Sequence, residues 1–257
     1  PIRKKFLAAQ KEKLPTRIEE NLERASRLDA DLLIAPEGML MSNQRLTNPA
    51  PIPFLSGGFR WFMGRQRSAL LFFEKGQLVF TNYIDKHRLV PFGEWVPNFF
   101  AIHSKGLSGV GGLEAGDPSR LMTLPTTKLA VAICYEISDG NSIAKAISNG
   151  GEWILSIANL DPYPVTLHKQ FIALSQLRSI ENERETIIAS NTGPSIKISS
   201  SGKVTQIIPP FQEGIGTTDV KLSTKQTFYS KWKETPLIII LMASISMAFL
   251  IKSELKE

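Results

Sequence analysis

Short apolar runs alternate along this chain with turn residues and with segments that carry apolar positions on one side only. Apolar runs of about four to eight residues between turn residues are typical of buried strands, and a period of about 3.6 residues is typical of helices. This criterion predicts strands over residues 32–35, 69–73, 78–83, 129–133, 153–158, 186–189, 195–199 and 204–208. It predicts helices over residues 14–28 and 167–180, with these apolar sides: Ile18, Leu22, Ala25 and Leu28 in the first, and Phe171, Leu174, Leu177 and Ile180 in the second.

Turn segments separate two pairs of the predicted strands. Glu74–Gln77 and Ser201–Lys203 each lie between two apolar runs, so both pairs are predicted to form hairpins. Strands that alternate with helices and hairpins indicate an α/β fold with a mixed sheet. Chemistry in such folds collects at the carboxyl ends of strands. Glu37, Cys134 and Asn159 each stand at the end of an apolar run and are therefore candidates.

The last apolar segment, residues 236–251, contains no charged residue. Sixteen helical residues at about 1.5 Å each would extend about 24 Å, which is short of a hydrocarbon core of about 30 Å. Tyr229 and Trp232 precede the segment as candidate interface aromatics, and Lys252 follows it. A buried core helix is the alternative, but such a helix usually has a polar side, and the polar residues here are serines. The sequence predicts a catalytic domain over 1–234 and a transmembrane helix over 235–252.

Composition narrows the class of protein. The chain has 257 residues, which is enough for one large α/β domain or two small ones. Its net charge of +6 suits a partner that is an anionic membrane surface or a nucleic acid. The basic residues are scattered and no nucleic-acid-reading motif is present, so a nucleic-acid partner is not predicted. One cysteine excludes an internal disulfide, and three widely spaced histidines make a metal site an unfavoured hypothesis. The run Gly109–Gly112 lacks the dinucleotide-binding spacing and is predicted to be a loop near the site entrance.

Three side chains offer a nucleophile, a base and a cation, and each also has a plain structural interpretation. Cys134 at a strand end is either a small buried hydrophobic residue or a nucleophile exposed before a helix that starts near Ser138 or Asp139. A nucleophilic thiol needs a base, and Glu37 could serve if it is partly desolvated rather than a solvated loop acid. Lys86 is either part of a solvated basic turn or an ammonium that stabilises a thiolate and a developing oxyanion.

Glutamate, lysine and cysteine at strand ends, in this order, form a pattern that resembles the nitrilase, or carbon–nitrogen hydrolase, superfamily. More narrowly, the chain is similar to the family of apolipoprotein N-acyltransferases over nearly its whole length. The block that ends at Pro97 is the most specific of the motifs. The motifs that carry the resemblance are APEG at Ala35–Gly38, DKHRLVPFGEWVP at Asp85–Pro97, AICYE at Ala132–Glu136, Arg178–Arg184, Asn191–Gly193 and Phe228–Trp232.

The resemblance implies an αββα sandwich and a set of site residues. It implies Glu37 as general base, Lys86 as the oxyanion-stabilising cation and Cys134 as nucleophile. It further implies Glu94 as a second acid near the site, and Tyr135 and Glu136 as support for the nucleophile and the acyl chain. The implied reaction moves an acyl chain from a phospholipid through a Cys134 thioester to the N-terminal amine of a lipoprotein's lipidated cysteine. It implies no cofactor and no metal, and it implies a bacterial inner membrane with the catalytic domain on the extracytoplasmic face.

The chain also departs from the family pattern. Asn159–Pro164 lacks the usual Asn-Asp with a nearby Trp and Gly, so the loop over the site is expected to differ. The family's N-terminal membrane helices and first sandwich strand are not in this sequence, which is expected to be part of a longer protein. Two other functions stay open: a hydrolase of small amides or nitriles with the same triad, and an inactive nitrilase-fold module that serves as a membrane-tethered binding surface.

Overall fold

Two β-sheets lie face to face in the computed structural model, which describes residues 17–95 and 112–254, with side chains through residue 248. The first sheet has the strand order β1-β2-β3-β4, and the second has the order β10-β9-β8-β7-β6-β5. The strands are β1 Leu33–Leu40, β2 Phe54–Phe62, β3 Arg65–Phe73, β4 Asn82–Asp85, β5 Leu121–Thr123, β6 Lys128–Ile133, β7 Trp153–Ala158, β8 Thr186–Ser190, β9 Ser195–Ile198 and β10 Val204–Ile208. The helices are α1 over residues 17–27, α2 Gly140–Ser148, α3 Val165–Asn182, α4 Phe228–Trp232 and α5 Thr235–Glu254.

Side chains of alternate strand residues build a core on each face of both sheets, because successive residues of a strand point to opposite faces. In β6, Leu129, Val131 and Ile133 pack between the sheets, whereas Ala130 and Ala132 pack on the face that α2 covers. On the far side of the first sheet, Ile18 and Leu22 of α1 pack in a third apolar cluster. The layers therefore follow the αββα order that the resemblance implies.

Parallel pairing sets the edge at which the site forms. β1 and β2 are parallel, and β4 points the same way because β3 is antiparallel to both of its neighbours. In the second sheet, β6, β7 and β8 are parallel. We call the edge at which β1, β4, β6 and β7 end the carboxyl edge of the sandwich.

The second strand of one predicted hairpin was placed too close to the turn, and the sequence analysis missed another hairpin. Residues 78–81 lie outside β4, and Leu78 O accepts a hydrogen bond from Leu46 N at 2.9 Å because this stretch runs beside the loop near residue 46. β4 instead begins at Asn82 and pairs with β3. The missed hairpin joins β2 to β3 through Met63 and Gly64, whose φ angles of 49° and 77° are those of a two-residue turn that matches strand twist.

The predicted apolar sides of the two helices were wrong in part. In α3, Phe171 is buried and Leu174 is partly buried, but Leu177 and Ile180 are 44% and 51% exposed. Polar residues that hydrogen-bond locally fill the buried side instead; Ser175 Oγ, for example, donates to Phe171 O at 2.8 Å. In the first helix Ile18, Leu22 and Ala25 are buried as predicted, whereas Leu28 lies past the helix end and is exposed.

The C-terminal apolar segment is helical, as predicted, within α5. Its described side chains from Leu237 onward are exposed all round the helix. Across residues 17–95 and 112–254, no helix combines the length and the apolar content needed to cross a membrane. The span over 235–252 therefore stays a prediction. Residues 14–16 of the first predicted helix and 109–111 of the predicted entrance loop lie outside the described residues.

Candidate active site

A bulge in β1 presents Glu37 at the carboxyl edge. The register between β1 and β2 shifts between Ala35 and Leu40, and Gly38 has a φ of 75°. Gly57 of β2 lies directly under this bulge, and a Cβ there would overlap Cα of Glu37. Glycine at position 57 therefore permits the close approach that holds Glu37 in place.

Lys86 lies between two carboxylates. Its Nζ is 2.9 Å from Oε1 of Glu37 and 2.6 Å from Oε1 of Glu94, and its side chain is fully buried. Burial lowers the pKa of the Lys86 ammonium, but the surrounding negative charges outweigh this effect and raise its pKa well above the ordinary value. Lys86 is accordingly a permanent cation at this site.

Each carboxylate has a second anchor on its other oxygen. Asn159 N, just after β7, donates to Oε2 of Glu37 at 2.9 Å. Val90 N donates to Oε2 of Glu94 at 2.8 Å. Backbone donors thus orient both carboxylates toward Lys86, and they do so from different loops.

Cys134 begins a short 3₁₀ helix, Cys134–Ser138, directly after β6. Its φ of 52° lies in the left-handed region, which a non-glycine residue rarely adopts, and its side chain is buried. Burial, together with the charges of Glu37 and Glu94, raises the pKa of the thiol to about 12, and burial is the largest of these causes. The Lys86 charge and the Tyr135 N–H oppose this shift. The resting thiol is therefore protonated at neutral pH.

Glu136 is buried and ties the cysteine turn to the lysine segment. Its Oε1 accepts hydrogen bonds from His87 N at 2.6 Å and from Arg88 N at 3.1 Å, and its Oε2 accepts one from Ile133 N at 2.9 Å. Arg120 pairs with the same carboxylate at 2.8 Å. Glu136 therefore acts on the position of Cys134 and Lys86 through the backbone.

Tyr135 lies at the surface of the cysteine turn and is 44% exposed. Its carbonyl accepts a hydrogen bond from Ser138 Oγ at 2.8 Å. The helix that was expected near Ser138 begins at Gly140, with Asp139 as its N-cap. The exposed side chain of Tyr135 is thus not part of the buried group of charges.

The loop after β7, which was expected to differ from the family pattern, is held by hydrogen bonds with Asn191. Asn191 Nδ2 donates to Asn159 Oδ1 at 2.5 Å, and Leu160 N donates to Asn191 Oδ1 at 2.8 Å. Tyr163 follows in the same loop and is partly buried, and burial is the main cause that raises its pKa. The Asn191 turn therefore holds the loop that donates to Glu37.

The structure brings Glu37, Lys86, Glu94 and the thiol of Cys134 together. Sequence reasoning missed Arg120 and Tyr163 as parts of this assembly. Arg120 lies before a strand of only three residues, and a single arginine there carries no motif; Tyr163 lies in the loop that departs from the family pattern. Among the residues the structure describes, no group of three or more His, Cys, Asp or Glu side chains is arranged to hold a metal ion.

A protonated thiol beside a carboxylate and a fixed ammonium is suited to nucleophilic attack on a carbonyl carbon. The carboxylate can take the thiol proton, and the ammonium can stabilise the charge that develops on the carbonyl oxygen. The Tyr135 N–H at the thiol is a second donor in the same region. Acyl chemistry through a thioester is therefore what this geometry permits.

Known proteins resemble this chain in sequence over most of its length. The carbon-nitrogen hydrolase family profile matches residues 63–229. A protein from Prochlorococcus marinus that is named apolipoprotein N-acyltransferase is 51% identical over 94% of this chain and 49% of its own length. A protein of the same name from Parasynechococcus marenigrum is 43% identical over 90% of the chain and 50% of its own. The chain spans about half the length of these curated relatives.

Solved structures share the fold at low sequence identity. An amidase from Nesterenkonia sp. superposes with a TM-score of 0.62 at 12% identity, over 90% of each chain. A glutamine-dependent NAD+ synthetase from Acinetobacter baumannii superposes with a TM-score of 0.59 at 17% identity, over 79% of this chain and 41% of its own. These likenesses establish the sandwich architecture and nothing about the substrate.

Proposed function

The chain belongs to the carbon–nitrogen hydrolase family, and from this membership we propose that it is the catalytic part of an acyltransferase. The proposed reaction moves a fatty acyl chain from a phospholipid to the N-terminal amine of a lipoprotein whose first cysteine carries a diacylglyceryl group. The name shared by the relatives at 43–51% identity supports the acyl transfer. The observation that supports the chemistry most directly is the buried cation of Lys86 between Glu37 and Glu94, next to the thiol of Cys134.

The first half-reaction forms a thioester. The raised pKa of the Cys134 thiol means that a base must remove its proton during attack, and Glu37 is the proposed base. The sulfur then bonds to the ester carbonyl carbon of the phospholipid. The carbon–oxygen bond to the glycerol breaks, and the leaving oxygen takes the proton from Glu37. The products are a lysophospholipid and an acyl-Cys134 thioester.

The second half-reaction forms an amide. The lipoprotein amine attacks the thioester carbon and loses a proton to Glu37. The carbon–sulfur bond breaks, and the sulfur takes back a proton, which restores the thiol. Lys86 stabilises the oxyanion in both halves, because its charge is fixed and its position is set by two carboxylates. In this proposal Glu94 holds Lys86, Glu136 holds the cysteine turn, and Tyr135 faces the acyl chain.

The proposed substrates are lipids, and α5 supports a membrane location. Its apolar side chains from Leu237 to Met247 are exposed to solvent, which is unfavourable unless another apolar phase covers them. We place the boundary between the catalytic domain and the membrane-attached helix at residues 234 and 235. The proposed location is a bacterial inner membrane, with the catalytic domain on the extracytoplasmic face.

Mass spectrometry after incubation with phospholipid vesicles tests the proposal. The expected result is a thioester-linked acyl group on Cys134 that is absent from Cys134→Ala and from Glu37→Gln. Glu114→Gln is the matched control, because this partly buried carboxylate pairs with Arg67 rather than with Lys86. No adduct on a thiol that alkylates normally would favour water as acceptor and a small-amide hydrolase. No adduct on an inert thiol would favour a binding module.

A further inference from the structure

The hairpin of β2 and β3 projects past its neighbours at the carboxyl edge. The pairing of β3 with β4 ends at Ala69 and Asp85, and Lys86 N donates to Ser68 O. Beyond β4, the last backbone bond to β3 on this side comes from Glu114 N, at Gln66 O. The turn at Gly64 lies two residues beyond Gln66, which is about 7 Å at about 3.4 Å per residue. The tip therefore extends past the last neighbour of β3 on this side.

The tip carries large apolar side chains in water. Met63 is 88% exposed and Trp61 is 53% exposed. The side chain of Arg65, which follows the turn, is 74% exposed, and its Nε lies 3.9 Å from Glu114 Oε1 in a loose ion pair. Tryptophan and methionine beside arginine are typical of a segment that enters a lipid interface, since the apolar groups leave water while the guanidinium stays near phosphate.

A short hydrogen-bonded path joins this tip to the candidate active site. Glu114 N donates to Gln66 O at 2.9 Å, and Leu113 N donates to Glu94 O at 2.7 Å. Glu94 in turn contacts Lys86. The turn that carries Glu94 also exposes Phe92. Apolar groups thus rim the same edge that holds the buried charges.

The apolar helix α5 leaves the body at this edge too. Gln226 Nε2 donates to Ile147 O, near the end of α2, at 3.3 Å, whereas the Tyr229 hydroxyl lies next to Gly140, the first residue of α2. The same hydroxyl donates to Glu234 Oε1 at 2.7 Å. Because α2 follows the cysteine turn, the chain here runs toward the carboxyl edge, and α5 begins one residue after Glu234.

We infer that the β2–β3 hairpin tip, Trp61–Arg65, is a second membrane-docking element, which inserts into the lipid surface and presses the site against it. The inference rests on the proposed function, because the docked tip would bring the site to the lipid surface from which the acyl donor enters. The occupant is an anionic lipid bilayer. The hairpin tip and α5 lie at the same edge, so both can contact one flat membrane surface. The positive charge of exposed Arg65 and the net charge of +6 are complementary to the negative charge of such a surface.

Fluorescence at the tip tests the inference. The full chain carries Cys134→Ala together with Met63→Cys, and an environment-sensitive dye is attached to the new thiol. Vesicles of phosphatidylcholine and phosphatidylglycerol are the probe. The expected result is a blue shift at position 63, which weakens when phosphatidylglycerol is omitted. The same dye on Leu28→Cys, at the opposite edge beyond α1, should show no shift. A protein that floats with vesicles but shows no shift at position 63 would overturn the inference.

A second measurement separates the docking from the chemistry. Trp61→Ser/Met63→Ser is compared with Leu28→Ser/Leu177→Ser, two exposed apolar residues at the opposite edge. The tip variant should lose acyl-adduct formation on Cys134 with donor in vesicles and keep it with donor in detergent micelles, while the control keeps both. Equal loss in both media would overturn the docking role. A dye shift at position 63, together with no adduct on Cys134 of the unaltered chain in either medium, would refute the proposed function and leave the docking intact.

Discussion

Arg120 and Glu136 form a buried pair in which one guanidinium nitrogen reaches both carboxylate oxygens, at 2.8 and 2.9 Å. The other terminal nitrogen of Arg120 donates to Asp85 O at 2.7 Å. Glu136 accepts from His87 N. The pair therefore holds the backbone on both sides of Lys86 and at the same time anchors the turn of Cys134. Arg120 is a positioning residue that links the nucleophile to the cation.

Arg120→Met is expected to lower the free energy of unfolding by about 3–5 kcal/mol, because it leaves a buried carboxylate without its cation. Denaturant unfolding of the full chain measures this. Arg17→Met is the control: its ion pair with Glu213 is exposed, and pairs of this kind contribute about 1 kcal/mol or less. Equal unfolding energies for the two variants would show that Glu136 does not depend on Arg120. Arg120→Lys keeps the positive charge but lacks the two terminal guanidinium nitrogens. Its free energy of unfolding should lie between those of the unaltered chain and of Arg120→Met.

Glu37→Gln is expected to lower the pKa of the Cys134 thiol, because the negative charge of Glu37 is one of the causes that raise it. The rate of iodoacetamide modification against pH measures this pKa. In the unaltered chain the half-maximal rate should lie above about pH 10, since a pKa near 12 leaves little thiolate at lower pH. The variant should reach its half-maximal rate at a lower pH and yet form less acyl adduct. Glu114→Gln should leave the curve in place, and an unchanged curve for Glu37→Gln would contradict the electrostatic account.

Glu94→Gln is expected to slow acyl-adduct formation by about tenfold or more, which corresponds to about 1.4 kcal/mol. The amide oxygen can still accept from Val90 N, but Lys86 loses one of its two negative partners. The adduct rate should fall without a matching loss of thermal stability. A fall in stability that accounts for the lost rate would make Glu94 a structural residue only.

Gly57→Ala is expected to reduce both stability and adduct formation. Its methyl group would overlap Cα of Glu37 and lie 2.6 Å from Pro36 O, so the bulge must move. Forcing such a methyl group into a packed site costs about 1–3 kcal/mol. Gly214→Ala is the control, because its Cβ would meet only Ile208 Cγ2, at an ordinary 3.9 Å. A Gly57→Ala chain with normal adduct formation would show that the bulge tolerates displacement. Thermal unfolding measures the loss of stability, and the acyl-adduct assay on Cys134 measures the loss of activity.

The runs of apolar residues along the sequence were sufficient to locate most of the strands. Residues 153–158 are predicted and observed with the same bounds, and 129–133 lacks only one residue. These strands are buried on both faces, so their apolar character is continuous and easily read. The αββα layers and the grouping of Glu37, Lys86 and Cys134 came from the resemblance and agree with the structure. The roles of these residues stay predictions.

The apolar pattern failed where polar residues that hydrogen-bond within a helix take up its buried side. The buried side of α3 is built from serine, arginine and asparagine; Asn182 Nδ2, for example, donates to Arg178 O at 2.9 Å, and periodicity alone does not detect such bonds. The missed β2–β3 hairpin depends on a positive φ at Met63, which residue type does not indicate.

The sequence by itself determined the class of fold, the strand that ends directly before Cys134, and the family motifs, because these depend on local apolarity and on residue identity at fixed spacing. The prediction that a strand ends at Glu37 was wrong, since the bulged strand β1 continues through Glu37 to Leu40. Only the tertiary structure decided that Lys86 is shared by two carboxylates, that Arg120 joins its segment to the cysteine turn, and that Trp61 and α5 emerge at one edge. These relationships link residues up to about two hundred positions apart, and the packing of two sheets sets them.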